Sequence, residues 1–394
     1  GRRGARCQVG RGDDLGLWGA RIVRMRTPVF DAHVDSLQRA LDLGDDLGSI
    51  TGGHLDLVRG RVGGLQAVVL VCWVDPVHVE TNTAGARCRA LLELYQALLE
   101  RHPKLVTFGG NGRLLKEAKS RGLIAGIAGI EGGHSIEESL ERMEELFEGG
   151  VRVMTLAWNN HLSWIRSCRE GAGPDTPAGL SDFGREVIRR MNKLGMLVDL
   201  SHASDQAFYD TLEVSDRPVI ASHSGCRAVN DHPRNLSDDQ LKALRENEGV
   251  IGAVFCTPFL DGDCAAELTR LRESDEHIAI DEGSEAATFF ARARFLQESA
   301  PPLPLDRVCD HICHAVERAG VEHVGIGSDY DGIDHIPKGL EDASRYPALA
   351  AALLKRGFTE AELEGIFWGN MARAFERATG EGTRAAELDA PVCV

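Results

Sequence analysis

Eight short apolar runs punctuate the chain, at residues 29–33, 65–74, 123–130, 151–158, 196–202, 218–223, 250–256 and 323–329. Each has the length and near-continuous hydrophobicity of a strand buried on both faces of a parallel sheet. Amphipathic stretches fill most of the intervals. Leu140, Met143, Leu146 and Phe147 share one helical face, and Gly149-Gly150 close that helix just before the next run. Val187, Ile188, Met191 and Leu194 repeat the pattern, with Ser181 or Asp182 as N-cap and Gly195 as stop. Eight strands alternating with helices predict an α/β protein with a closed (β/α)8 TIM barrel. The competing open, doubly wound sheet would carry a glycine-rich phosphate loop after its first strand. Here that strand ends in Asp31-Ala32-His33-Val34-Asp35 instead.

One segment breaks the rhythm. Residues 259–303 follow the seventh run with an acidic stretch (Asp261, Asp263, Glu267, Glu273, Asp275, Glu276, Asp281, Glu282), an apolar helix around 289–296, and Pro301-Pro302. In a barrel this is an enlarged loop at the C-terminal face, where active sites lie. The barrel is expected over residues 25–380. The Gly- and Arg-rich residues 1–24 are expected to be a disordered extension, without the apolar core of a signal peptide, and 381–394 a short tail.

Charge and composition narrow the partners. A formal charge of −16 over 394 residues argues against nucleic acid or an anionic membrane surface. Nowhere do 18 consecutive apolar residues occur, so no transmembrane helix is expected. The ten cysteines are scattered, and Cys72 and Cys256 fall inside apolar runs. This pattern points to reduced thiols in a cytoplasmic protein.

Five of the eight runs finish with a metal-ligand residue type. The first ends in His33-x-Asp35 and the third runs into Glu131, while the fifth, sixth and eighth end in His202, His223 and Asp329. Singly, each has a plain explanation: a hydrogen-bonded strand-end histidine, or a glutamate capping a helix. Together, and in barrel order, they converge on one mouth. Imidazoles with several carboxylates suit zinc or a similar divalent ion. The ligands outnumber one tetrahedral site, which points to two ions bridged by a shared carboxylate.

The motifs Asp31-Ala32-His33-Val34-Asp35, Gly129-Ile130-Glu131-Gly132-Gly133-His134-Ser135-Ile136, Leu200-Ser201-His202, Ser222-His223-Ser224, His232-Pro233-Arg234-Asn235-Leu236 and Gly325-Ile326-Gly327-Ser328-Asp329-Tyr330-Asp331-Gly332 stand in this order. They resemble the membrane (renal) dipeptidase family of the amidohydrolase superfamily, in its bacterial-type form. The match runs from about Thr27 to Thr379, where Trp368-Gly369-Asn370-Met371-Ala372-Arg373 also resembles the family's C-terminal motif. The resemblance implies one zinc on His33 and Asp35, a second on His202 and His223, and Glu131 together with a hydroxide bridging the two. It further implies that Asp329 takes the proton on attack and passes it to the leaving amine, that Arg234 receives the substrate's C-terminal carboxylate, and that the enzyme is a homodimer. Asp331 is expected to act behind the ligands.

The chain departs from the family pattern at two places. Leu156-Ala157-Trp158-Asn159-Asn160 puts Trp158 where well-studied members carry a histidine that contacts the substrate carbonyl. An indole donates one hydrogen bond but takes up no proton. Trp158 and Asn159 are thus expected at the substrate, with altered specificity or rate, and nearby His161 is not expected to substitute. Phe255-Cys256-Thr257-Pro258 replaces an aromatic-rich segment, which leaves the binding of the substrate's N-terminal part open. Cys309-x-x-x-Cys313 with His311 and His314 has metal-like spacing but lies on an apolar helical face, where buried thiols are the plainer reading. His134 is expected to orient the loop after Glu131. Trp73 and Trp164 are candidates for either the mouth or the core.

These readings lead to a zinc-dependent dipeptidase, with L-Xaa-D-Xaa substrates included. An amidohydrolase acting on N-acyl-amino acids or another non-peptide amide or lactone is the rival. A non-catalytic binding protein that kept its fold would be expected to have lost a ligand, and all five are present.

Overall fold

The computed structural model describes residues 27–380, so the expectations for residues 1–24 and 381–394 lie outside the described residues. Nine parallel strands form the sheet: β1 (Val29–Val34), β2 (Leu65–Trp73), β3 (Val106–Phe108), β4 (Ile124–Glu131), β5 (Val151–Thr155), β6 (Leu197–Asp199), β7 (Ile220–Ser224), β8 (Val250–Ala253) and β9 (Val324–Ile326). The order β1–β2–β4–β5–β6–β7–β8–β9 closes back on β1, which is the eight-stranded barrel the apolar runs predict.

The ninth strand is a departure from the sequence reading. β3 pairs only with the first residues of β4, from Ile124 to Gly126, while β5 pairs with Ala128 to Glu131 on the same flank. Three residues carry too short a pattern to register as a run. β3 therefore widens the barrel's N-terminal end and leaves the mouth untouched.

Side chains alternate between two packed layers. Phe30, Ala67, Val69, Ile127, Val153 and Val250 point into one cluster, which Trp368, Met371 and Phe375 complete near the helix Asn370–Thr379. Val68, Leu70, Cys72 and Ile130 face the larger cluster under the outer helices. Caps follow the sequence: Ser181 Oγ accepts from Gly184 N at the start of Asp182–Leu194, and Gly195 ends it at φ 81°. The left-handed stop suits a residue without Cβ.

Register shifts fall beside two of the ligand histidines, between Asp31 and Val34 on β1 and between Ala221 and Ser224 on β7. Such irregularities re-aim side chains next to active sites. The segment after β8 is helical: Thr257–Leu260, Gly262–Arg272, Asp275–Ile278 and Glu285–Ser299. It forms part of the wall of the main cavity, as the enlarged-loop reading requires.

Candidate active site and metal centre

The strand ends bring His33, Asp35, Glu131, His202, His223 and Asp329 into one buried cluster. Glu131 divides its carboxylate between two groups. Its Oε2 lies 3.4 Å from His33 Nε2, and its Oε1 lies 2.9 Å from His202 Nε2 and 3.5 Å from His223 Nε2. Asp35 Oδ2 lies 3.6 Å from His33 Nε2. Asp329 joins His33 and His223 in a third grouping. His33 Nε2 and Asp35 Oδ2 are buried without a hydrogen-bond partner among the described residues. Such orphaned atoms are rare in a dry interior, and these two point at a common centre. Three imidazoles, Glu131 and Asp35 are donors of the kind that suit a divalent transition ion. The residues present fit two ions.

The imidazoles are held from behind, as metal-ligating histidines are. His202 Nδ1 lies 3.2 Å from Asn159 Oδ1, while His33 Nδ1 and His223 Nδ1 lie 3.3 and 2.8 Å from Ser222 Oγ. In each case Nε2 is the atom left for the centre. Asn159 also lines the cavity, but its Oδ1 is shared between His202 and Arg169 Nε at 3.1 Å. That placement makes it an orienting residue for His202.

Electrostatics favour positive charge at the centre. Burial opposes a charge on His33, yet Glu131 and then Asp35 and Asp329 raise its pKa to about 10. Burial would likewise raise Glu131, but His33 and His202 hold it well below the carboxylate range. His202 is lowered to about 4 by burial and then by Arg234. Burial pushes Asp329 up to about 7, within reach of proton exchange at neutral pH. Asp329 and His202 adopt left-handed backbone angles, φ 63° and 69°, and strain of this kind gathers at functional sites. Gly332 permits the close approach beside them, since a Cβ there would lie 2.3 Å from Asp35 Oδ2 and 2.6 Å from Asp329 Oδ1.

Above the cluster opens a cavity of about 620 Å³. Arg234 lines it while almost wholly buried, donating from Nη2 to His223 O at 3.2 Å, with its guanidinium carbon 5.1 Å from the Phe259 ring centre. Its Nε has no partner among the described residues. Trp158 forms the wall beside His202, ring centres 6.2 Å apart, and meets Trp73 edge-on at 5.3 Å. Trp73 belongs to the mouth. Trp164 is a core residue against Phe183.

Other expectations separate cleanly. Asp331 accepts from Ser36 Oγ, from Arg39 Nη2 at 3.2 Å and from His54 N at 2.6 Å. It ties the loop after β9 to the helix Ser36–Leu43, which follows Asp35 in the chain. His134 reaches Val74 O at 2.8 Å and anchors its loop. His161 contacts Ser167 and Glu170 O and does not line the cavity. On the helix Asp306–Ala319, His311 accepts from Cys226 N at 2.9 Å and contacts Leu260 O, and His314 pairs with Asp238 at 2.7 Å. These residues form no metal cluster among the described residues. Arg169, Arg272 and Phe289 at the cavity rim escaped the sequence reading, because loops and inserted helices carry no strand-end signal.

Comparisons with known proteins show the family. The family described as "Membrane dipeptidase (Peptidase family M19)" matches residues 19–387. Dipeptidase 3 of Mus musculus is 32% identical over 358 residues, covering 89% of this chain, which spans 64% of that relative's length. The crystal structure of dipeptidase AC, a metallopeptidase of family M19, superposes with TM-score 0.74 at 27% identity over 90% of this chain and 100% of its own. A metallopeptidase from Rhodobacter sphaeroides, solved with a phosphinate mimic of the dipeptide L-Ala-D-Ala, gives 0.73 at 27% identity over 89% and 99%. With the ligand cluster at the mouth of the barrel they share, this chain belongs to the membrane dipeptidase family, peptidase family M19.

Proposed function

We propose that this protein hydrolyses the peptide bond of dipeptides that carry a free C-terminal carboxylate, L-Xaa-D-Xaa included, with two zinc ions held by its strand-end ligands. The single observation behind this reading is the split carboxylate of Glu131, one oxygen toward His33 and the other toward His202 and His223. On it, His33 and Asp35 would hold one ion, His202 and His223 the other, and Glu131 would serve both. Zinc in such a site supplies Lewis acidity toward a carbonyl oxygen and brings the pKa of water near 7.

The chain's own groups do the rest. Arg234 offers an unpaired Nε from a buried position, part of a planar fork matched to a planar carboxylate. Its position orients the scissile bond toward Glu131 and Asp329. Asp329, poised near neutrality by burial, takes a proton from the attacking water and returns it to the leaving amine. Trp158 closes the wall beside His202 and can donate to the substrate without exchanging a proton. The mimic of L-Ala-D-Ala bound by the Rhodobacter relative supports the stereochemical part of the proposal.

A cytoplasmic location and a homodimer complete the reading. No disulfide joins the described cysteines, and no described helix is long and apolar enough to cross a membrane. The test is release of free amino acids from a library of L-L and L-D dipeptides, with zinc and with chelator. Metal-dependent cleavage that includes L-D members is the expected result. Cleavage of N-acyl-amino acids with silence on every dipeptide would replace the proposal with its rival, which the substitution at Trp158 favours.

A further inference from the structure

We infer that Ser222, held by Asp199, is a positioning residue that sets one ligand of each metal ion at once, so that the two ion sites share a single hydroxyl behind them. This rests on the two-ion reading above and adds a coupling which that reading does not require.

The argument is one of hydrogen-bond polarity. Asp199 is fully buried at the end of β6, and its carboxylate accepts from four donors. Ser201 N and Ser222 N reach Oδ1 at 3.0 and 2.8 Å, while Thr155 Oγ1 and Ser222 Oγ reach Oδ2 at 2.5 and 2.6 Å. The single hydroxyl proton of Ser222 is therefore committed to Asp199. A hydroxyl has one proton and two lone pairs, so Ser222 Oγ can only accept from its other neighbours. Those neighbours are His223 Nδ1 at 2.8 Å, His33 Nδ1 at 3.3 Å and Ser201 Oγ at 3.3 Å. A ring that bonds to Ser222 Oγ must then carry hydrogen on Nδ1, so that Nε2, facing Glu131 and the centre, is the nitrogen whose lone pair a metal ion would take. His33 and His223 belong to different ions, and their ring centres are only 3.8 Å apart. His202 is set separately, through Asn159.

The surroundings leave Ser222 no freedom. A Cβ at Gly252 or Gly327 would fall within 1.9 or 1.7 Å of Ser222 O, so the neighbouring strands press against its backbone. Removing an outer partner of a ligating histidine typically weakens metal binding 10–100-fold. Removing one shared by two ions should do so at both sites.

The test uses the full chain and cadmium as probe. Stepwise affinities come from chelator competition, and two cadmium NMR resonances report the two sites. Ser222→Ala is expected to weaken both steps about 10–100-fold and to displace both resonances. Asn159→Ala is expected to move one resonance and one step. Asp199→Asn, which can donate to Ser222 and reverse the proton order, should reproduce the Ser222→Ala pattern. It carries the test alone if the alanine variant does not fold. Loss confined to one site, or unchanged affinities in a folded variant, overturns the coupling. Fewer than two ions on the wild-type chain would overturn the two-ion reading itself.

Discussion

At the floor of the cavity, His33, Glu131, His202 and His223 stand at strand ends, buried, with Ser222 behind His33 and His223, Asn159 behind His202, and Glu131 paired with His202. At the rim, Arg169, Glu285 and Phe289 stand exposed on a loop and on an inserted helix. The floor is a preset constellation on rigid elements, which catalysis demands. The rim is built from segments that can vary without disturbing the barrel. On the proposed function the difference assigns chemistry and selectivity to separate layers of one cavity, and substitutions should sort accordingly.

The largest effect belongs to the floor. Asp329→Asn is expected to lower kcat by about 10²–10⁴-fold, the range of general acid–base catalysis, with metal content unchanged. Steady-state kinetics beside metal analysis check it, and near-normal turnover would remove Asp329 from proton transfer. Chelation comes next. The metal-free protein should unfold several degrees lower, since an ion at 1,000 times its Kd stabilises by about 4 kcal/mol. Calorimetry with and without chelator reads this, and coincident transitions would mean that the floor is stable without ions. Arg234→Lys keeps the charge and loses the fork. It should raise KM about 10–100-fold, matching about 1.5–3 kcal/mol for charge-assisted hydrogen bonds. A fall in kcat alone would instead place Arg234 in the chemistry.

At the rim the effects shrink and change character. Trp158→Phe should alter the ratio of kcat/KM between two dipeptides by up to about 10-fold, the scale of a pocket contact, and leave metal binding as it was. Loss of an ion would move Trp158 to the floor. The smallest effect lies outside the cavity, where Arg227 forks onto Asp205 at 2.9 Å. Its hydrogen bonds hold the Asp205 carboxyl below its ordinary value. A depressed carboxyl stabilises above its unfolded pKa near 4, and that contribution disappears as pH falls through the folded value. Asp205 is more than a third exposed, so solvent screening limits Asp205→Asn to less than about 1 kcal/mol at pH 7. Urea denaturation at pH 7 and pH 3 should show that gap closing on acidification.

The same division decided what was legible in the sequence. Floor residues announced themselves because a barrel collects its strand ends at one face, so ligand types closing five apolar runs could be read together. Their supports were silent. Nothing in Leu156-Ala157-Trp158-Asn159 says that Asn159 turns toward His202, since that contact forms across 43 residues. Ser222 and Asp199 likewise look like ordinary strand polar residues until the pairing of β6 with β7 brings them together under the histidines. β3 was missed because three residues carry no period. The 259–303 segment was recognisable as an insertion, but its place over the mouth depends on contacts such as Arg272 with Asp334, 62 residues apart. Trp73 and Trp164 have the same side chain, and packing alone sends one to the mouth and the other to the core.

The central claim is that Glu131 stands between two metal ions. Anomalous diffraction at the zinc edge from crystals grown with zinc locates the ions directly. Two peaks are expected, one beside His33 and Asp35 and one beside His202 and His223, with a Glu131 oxygen at each. A single peak, or a peak away from Glu131, would contradict it.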